Sequence, residues 1–463
     1  MPRIEIRGLT GGGDIGGYET QLGNVAVVIP MVKLLHSFIP DAEIATRIQL
    51  TDEFCAAHGV TRIPNPPKLI GRRADVILRL FGSLLDLSRI ALWRLIKRVL
   101  RLNLRILICG RKLSGYRRAD VVLDFNGDIF PSDIHPVKVA VHALEMAAIR
   151  KLGIPVVEFV SSPGPFNTYF RRAVSKFMYN RLNVMVNRED VSSELVKQLG
   201  VDPPVISAAC PAFLLETAPA EKAKAFLAAE NVDAGARPLI GMTLCGYNLP
   251  SQRTWGHLSS FKDLEIYVPA LKWLLDELKA NVFLLPHVYR RNPYTIAGEF
   301  INGPDYDISG KLYEMVEGDK YGGRFKVIQG KYSSSEAKAI IGQCDMFISG
   351  RIHAAVAAMS QCVPTVVIAY GHKHRGFARV VGQEENVFQG TDAEGLMKLA
   401  QKVWQDRQEV RKTLQANQPR MKELVDLGIE IVRDIVGLEA AARDRIPAEM
   451  VARWLAQAEK LHA

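Results

Sequence analysis

Metal-type cysteine spacing is missing from this sequence, and so is any apolar run of membrane length. The six cysteines, Cys55, Cys109, Cys210, Cys245, Cys344 and Cys362, form no CxxC pair, which excludes a zinc ribbon and a dithiol redox motif. Several lie in apolar runs, so they read as reduced, buried thiols of a cytosolic-side protein. No window of about eighteen uncharged apolar residues occurs, so no helix is expected to span a bilayer. The first residues, MPRIEIRGLTGGGD, contain no apolar signal-peptide core, and secretion is not expected. Repeats and low-complexity tracts are absent as well. Aromatics do not interleave with the basic residues, which argues against a nucleic-acid partner.

What is present is a long chain rich in apolar residues. Its 463 residues are 48% hydrophobic, enough for large cores and for two or more domains. The net charge of +10 is concentrated. Between Gly71 and Arg118 thirteen Lys or Arg stand against Asp75 and Asp86, a local balance of +11, so the remainder is nearly neutral. From Ala74 to Leu107 the pattern is helical. Arg94, Arg98, Arg101 and Arg105 share one face, Leu92, Leu95, Ile96, Val99 and Leu102 lie on the opposite flank, and Trp93 sits at the border. Such a helix fits an anionic membrane surface met by the arginines, or ordinary packing on its own domain.

Elsewhere strand and helix patterns alternate, which implies parallel sheets with helices on both faces. Residues 1–50 read as strand, glycine loop, helix from about Asn24 to Phe38, and strand. The loop Gly11–Gly17 fits a ligand cradle or a tight turn. Ala119–Asp133 is a buried strand whose C-terminal edge carries Asp124, Asn126, Gly127 and Asp128. Asp128 there suits a general base or acid, and it suits equally, like Asp133, a helix cap. Leu182–Asp190 is a strand that puts Arg188 at a helix entry, and NVFLLPH ends a strand on His287. A polar, Ala-rich stretch at 216–238 marks a boundary. The domains expected are 1–225 with a basic helical insert at about 72–112, 236–391, and a helical tail, 392–463, packing back on the body. The segment from Tyr289 to Asp319 reads as an irregular loop.

The richest stretch runs from Cys344 to Gly376, CDMFISGRIHAAVAAMSQCVPTVVIAYGHKHRG. It reads as strand, helix and strand, with Gly350-Arg351-Ile352-His353 at the first strand-to-helix junction and a second cationic loop, Tyr370–Arg375, after the second strand. Six cationic or imidazole side chains and no acid occupy the two loops. Anions bind where strand C-termini meet helix N-termini, so the two loops are expected to form a pocket for a small, multiply charged anion.

This stretch resembles the C-terminal signature of the polysaccharide pyruvyl transferase family. Gly23-Asn24, the strand ending at Asn126-Gly127-Asp128, Arg188-Glu189 at a helix entry, the segment Cys210–Glu216 and Pro286-His287 are similar to further features of that family. Val25-Ala26-Val27 departs from it, standing where the family's first loop usually carries Gly-Asp, a gap that Asp14 or Glu19 would fill. The resemblance implies two Rossmann-like α/β domains with parallel sheets facing a cleft, of the GT-B type, with a helical tail. It also implies an enzyme that uses phosphoenolpyruvate, without cofactor or metal, to place a pyruvate ketal on a sugar and release phosphate.

Phosphoenolpyruvate carries a carboxylate and a phosphate on one short unit, so its site needs several fixed cations. Adding a sugar hydroxyl to its C2 needs a proton at C3 and a base on the hydroxyl. On that chemistry Arg351 holds the carboxylate or phosphate, and His353 acts as general acid or phosphate partner. Lys373 and His287 complete the donor site with Gly350 and Ile352, and Arg188 contributes from the first domain. Asp128, Asp14 and Asn24 face the acceptor. The alternative is a GT-B glycosyltransferase using a nucleotide sugar, which would keep a carboxylate in the second domain for the ribose. A non-catalytic, membrane-bound assembly protein would leave the cationic loops unemployed. Expected partners are phosphoenolpyruvate, a saccharide acceptor of lipid-linked type, and an anionic membrane surface. The expected location is cytoplasmic, peripheral on the inner face of the cell membrane.

Overall fold

A computed structural model of the chain describes residues 1–8, 19–48, 50–63, 72–108, 116–126, 136–235, 237–246, 262–291, 300–439, 443 and 446–462. The chain divides into two compact units. The first comprises Met1–Gly13, Val32–Ala209 and Glu423–Ala463, the second Asp14–Met31 and Cys210–Lys422.

Unit 1 is built on seven parallel strands in the order β3-β2-β1-β4-β5-β6-β7. They are β1 (Arg3–Arg7), β2 (Glu43–Thr46), β3 (Val60–Arg62), β4 (Val121–Asp124), β5 (Val156–Ser161), β6 (Val184–Asn187) and β7 (Val205–Ser207). The runs VVLD, VVEFVS and VMVN are buried at every position, as strands covered on both faces must be. The helices are α1 (Leu22–Phe38), α2 (Asp52–Ala57), α3 (Arg72–Val99), α4 (Pro136–Lys151), α5 (Tyr169–Tyr179) and α6 (Asp190–Lys197). The first turns of α1, up to Met31, belong to unit 2.

The basic segment differs from its sequence reading in two ways. Helix α3 ends at Val99, because Arg101 takes a left-handed backbone with φ of 54°, and Arg105–Ile108 is a separate 3-10 turn. The four arginines therefore do not share one helical face. The buried stripe is Ser83 and Ile90, with Leu87 and Trp93 packed beside them against Ile108 and Ala148. Leu92, Leu95, Val99 and Leu102 point to solvent instead.

Unit 2 carries six parallel strands in the order β12-β9-β8-β13-β14-β15: β8 (Leu239–Thr243), β9 (Asn281–Leu284), β12 (Phe325–Val327), β13 (Met346–Ser349), β14 (Thr365–Ile368) and β15 (Val387–Phe388). Between β9 and β12 lie the antiparallel pair β10 (Tyr289–Arg291) and β11 (Phe300–Asn302). The polar stretch at 216–238 lies inside this unit, where α7 (Ala220–Ala229) packs on α10 (Ser334–Ile341). The remaining helices are α8 (Val268–Lys272), α9 (Pro304–Met315), α11 (Ile352–Met359), α12 (His372–Val380) and α13 (Ala393–Gln405). A long helix, α14 (Arg407–Gly437), has residues in both units, and α15 (Ala448–His462) packs on β7 of unit 1.

The expected irregular loop from Tyr289 to Asp319 is thus a hairpin and a helix. Gly303-Pro304 followed by Asp305 and Asp307 is a helix start, with proline at the first position and acids in the first turn. Of the cysteines, Cys55, Cys210, Cys245 and Cys344 are buried and free, Cys362 is half-buried and free, and Cys109 lies outside the described residues.

Candidate functional site

In an open parallel sheet, ligands meet the chain beyond the strand C-termini, where the strand order reverses. In unit 2 that point lies between β8 and β13. Their last residues touch, Thr243 Oγ1 standing 3.0 Å from Ser349 Oγ, and the Gly350 N–H donates to the Thr243 carbonyl at 2.8 Å. Arg351 comes next, extended, as the residue before α11.

The Arg351 guanidinium is held by Asp305, with Nε donating to Oδ2 at 3.2 Å and Nη2 donating to Oδ1. Asp305 is 1% exposed and also accepts the His287 N–H at 3.0 Å. One carboxylate from the first turn of α9 thereby ties the end of β9 to the junction of β13 and α11. Burial opposes the charge on Arg351, but Asp305, with Cys245 and Tyr370 behind it, more than offsets this and raises its pKa. No acid stands between Gly350 and Gly376 in the sequence, and the fold supplies partners from outside it: Asp305 to Arg351, and Glu384 to Arg375 and Arg379.

The second cationic segment is not a loop either. Gly371 is the extended cap of α12, and the helix begins at His372. Lys373 is buried in its first turn with its ammonium 5.1 Å from the Tyr370 ring centre. His374 is buried too, its Nδ1 3.1 Å from the Gly371 carbonyl. Arg375 is exposed.

A small pocket of about 270 Å³, counted to include solvent at its mouth, lies within unit 2. His353 in the first turn of α11, His287 after β9, Lys338 and Ser334 of α10, and Leu22, Gly23 and Ala26 of α1 line it with Ala212, Leu215 and Ala357. The chain around residue 20 is stitched in by backbone. Leu22 N–H donates to the His287 carbonyl at 3.2 Å, Tyr289 N–H to the Thr20 carbonyl at 2.8 Å, and Ser334 Oγ to the Leu22 carbonyl at 2.8 Å. Gly23 lies against His353 so closely that a Cβ would stand 2.9 Å from the histidine's Cβ and Cγ and closer still to Nδ1.

His287 is a neutral imidazole rather than a cation. Burial, helped by the Arg351 charge, pushes its pKa down to about 3, and its Nδ1 has no hydrogen-bond partner among the described residues. Lys338 is the pocket's buried cation. Its Nζ donates to the carbonyls of Phe213 at 3.1 Å and Leu215 at 2.7 Å, two of three N–H groups, and burial pushes its pKa down to about 8.

Sequence reasoning missed Asp305 and Lys338. The helix-start signal at Gly303-Pro304 would have placed Asp305 on an ordered element, and Lys338 is a lone lysine among apolar residues in AKAII. Gly350 and Ile352 flank Arg351 as expected from sequence order, and Asn24 sits in the first turn of α1 with Nδ2 donating to Gln21 Oε1 at 3.3 Å. Asp14, Gly127, Asp128 and Asp133 lie outside the described residues. Arg188 belongs to unit 1, where it is buried after β6 and donates from its N–H to the Ser161 carbonyl at 3.1 Å and from Nε to Ser162 Oγ at 2.8 Å. Beside it Glu189 caps α6, its pKa pushed up to about 7 by burial.

At the corresponding point of unit 1, between β1 and β4, a buried charge cluster forms. His142 Nε2 stands 2.7 Å from Asp124 Oδ2, and Arg7 Nη2 stands 3.1 Å from His142 Nδ1 and 2.6 Å from Glu145 Oε2. Burial works against the Asp124 charge, but His142 and Arg7 outweigh it and hold its pKa down. Glu158, paired in register with Asp124, has its pKa raised well above the usual range by burial and by that neighbouring carboxylate.

The sequence pattern of the family described as Polysaccharide pyruvyl transferase matches residues 22–372. The chain belongs to that family. The match to this pyruvyl transferase pattern begins at Leu22, the residue bonded to His287 and Ser334, and ends at His372, the start of α12. Amylovoran biosynthesis protein AmsJ of Erwinia amylovora is 24% identical over 290 residues, 62% of this chain and 64% of that protein, so the match spans less than two thirds of the relative. HepE of Anabaena, solved in complex with UDP, shares the fold with a TM-score of 0.54 at 13% identity, over 95% of this chain and 100% of that one. A glycosyltransferase of Rickettsia africae has a TM-score of 0.53 at 11% identity, over 95% and 99% of the two chains. UDP-GlcNAc 2-epimerase of Methanocaldococcus jannaschii has a TM-score of 0.54 at 12% identity, over 94% and 99%. This member of the family thus has the GT-B-type architecture of two parallel-sheet α/β units.

Proposed function

We propose that this chain transfers the pyruvyl group of phosphoenolpyruvate onto two hydroxyls of a sugar, forming a pyruvate ketal and releasing phosphate. The observation that carries the reading is a pocket in unit 2 lined by His353, His287 and the buried Lys338, opened by the same β13-to-α11 junction that carries Arg351. Family membership supports it. Asp305 takes one edge of the Arg351 fork and fixes its plane, so the remaining N–H groups serve an anion. Lys338 and Lys373 supply point charges for phosphate.

His353 delivers a proton to C3 as the first hydroxyl adds to C2, and the hydroxyl's own proton returns to the His353 imidazole. The bond from C2 to the phosphate oxygen then breaks, phosphate leaves toward the cations, and the second hydroxyl attacks C2 and gives its proton to the departing phosphate, closing the ketal. A nucleotide-sugar donor would want a carboxylate for its ribose. Asp305 does not offer one, since both its oxygens are engaged by Arg351 and the His287 N–H. The acceptor on this reading is a lipid-linked saccharide met at the inner face of the membrane.

The test is ligand-dependent melting. Phosphoenolpyruvate should raise Tm and a panel of nucleotide sugars should not. His353→Ala should abolish transfer. Because Lys338 loses its charge above about pH 8, donor affinity should fall as pH rises through that value in the wild type and stay flat in Lys338→Met. A Tm rise with a nucleotide sugar and none with phosphoenolpyruvate overturns the reading.

A further inference from the structure

A helix on a folded body normally shows one apolar stripe, turned to the core. Helix α3 shows two. Ser83, Leu87 and Ile90 face α4. On the opposite side, at spacings that return to one face every three or four residues, stand Phe81, Leu85, Leu92, Leu95 and Val99, all exposed, Phe81 to 64%, Leu95 to 58% and Val99 to 66%. The strip continues past the helix end through Leu100, Leu102 and Leu104 to Ile106, which is 79% exposed. Single exposed apolar residues need no explanation, whereas a contiguous strip of this length marks a surface with a partner.

Charge identifies the partner. Arg89 and Arg98 are exposed on the two flanks of this stripe, Arg94 and Lys97 are exposed toward the body side, with Lys97 5.3 Å from the Trp93 ring centre, and Asp86 is the one acid between Ile77 and Leu104. Pairing this face with its equal on a second copy would crowd Arg89 and Arg98 of both copies around one apolar seam, whereas an anionic surface would neutralise them. Helix α5, which packs on the same helix α4, exposes Tyr169, Phe170 and Phe177 beside Arg172 and Lys176.

We propose that α3 lies in the plane of an anionic membrane, its outer stripe from Phe81 to Val99 entering the headgroup boundary and Arg89 and Arg98, on the two flanks of that stripe, reaching lipid phosphates. This rests on the membrane location proposed above and not on the donor chemistry. It also reverses the sequence reading of the helix: the leucines, not a face of four arginines, make the contact.

The experiment is flotation of the full chain with vesicles of phosphatidylcholine alone or mixed with phosphatidylglycerol. The wild type should float with the mixed vesicles only, and less at high salt. Phe81→Ser with Leu85→Ser, Leu92→Ser and Leu95→Ser should abolish flotation while leaving the melt and its response to phosphoenolpyruvate unchanged. Arg89→Gln with Arg98→Gln, which keeps the stripe and supplies a second reading should the serine variant fold poorly, should lower vesicle affinity roughly thirtyfold. Undiminished flotation of either variant overturns the proposal. So does a wild type that fails to float, including one that light scattering shows as a dimer which the serine changes dissociate. A normal phosphoenolpyruvate response in those preparations would leave the donor reading standing.

Discussion

Asp305 is 1% exposed and faces the Arg351 guanidinium at the rim of the second sheet. Removing one member of a buried pair leaves the other desolvated and uncompensated, at about 3–5 kcal/mol. Arg351→Ala should therefore lose stability as well as activity, and Arg351→Met combined with Asp305→Asn, which keeps an acceptor for the His287 N–H, should recover most of the melting temperature without recovering transfer. Equal loss in the single and double variants would show that the pair is not what the fold leans on. Glu158 makes a separate prediction. With its pKa raised in the folded chain, the native state binds a proton that the unfolded state releases above the ordinary value of 4.5, so this residue's contribution to stability falls as pH rises beyond it. Glu158→Gln keeps the shape and removes the titration. It should raise Tm at neutral pH, with a smaller gain near pH 4, as thermal melts across that range would read.

At the scale of elements, the start of α1 against the start of α11 decides the pocket. Replacing glycine by alanine inside a helix ordinarily stabilises by about 1 kcal/mol. At Gly23 the added methyl meets the His353 side chain, and the contact should win, since neither helix start can give way without breaking the Leu22 bonds to His287 and Ser334. Gly23→Ala should lower Tm and weaken donor binding at least several-fold, checked by calorimetry. These elements were partly legible in the sequence. The buried runs VVLD, MFIS and TVVI announce parallel strands, because a strand covered on both faces has no polar positions to spare. Arg351, His353 and Lys373 could be placed near strand ends for the same reason. Asp305, Lys338 and the fit of Gly23 to His353 were not legible, because each depends on partners dozens to hundreds of positions away, and periodicity carries only local spacing. Helix α3 shows the same limit: its period reveals apolar stripes without telling which one the body covers.

For the whole molecule, sequence order and spatial unit disagree. Residues 14–31 belong with 210–422, and they supply the wall of the pocket made by Leu22, Gly23 and Ala26. A fragment comprising 210–422 alone should then melt well below the same fragment with 14–31 tethered to it, and only the tethered form should gain Tm from phosphoenolpyruvate. Indistinguishable melts would mean that the segment is an ornament of unit 2. The tail divides in a comparable way, residues to Lys422 counting with unit 2 and those from Glu423 with unit 1, where Arg443 pairs with Asp120.

The bond from Leu22 to His287 also sets a timetable. A ribosome adding roughly 5–20 residues per second makes the first partner on the order of 10 to 50 seconds before the second. Through that interval the apolar Leu22–Met31 segment of α1 is made but stays exposed, without the His287 carbonyl that Leu22 bonds. Slowing elongation between the two should lengthen its exposure and raise the share of chains lost to aggregation before synthesis ends.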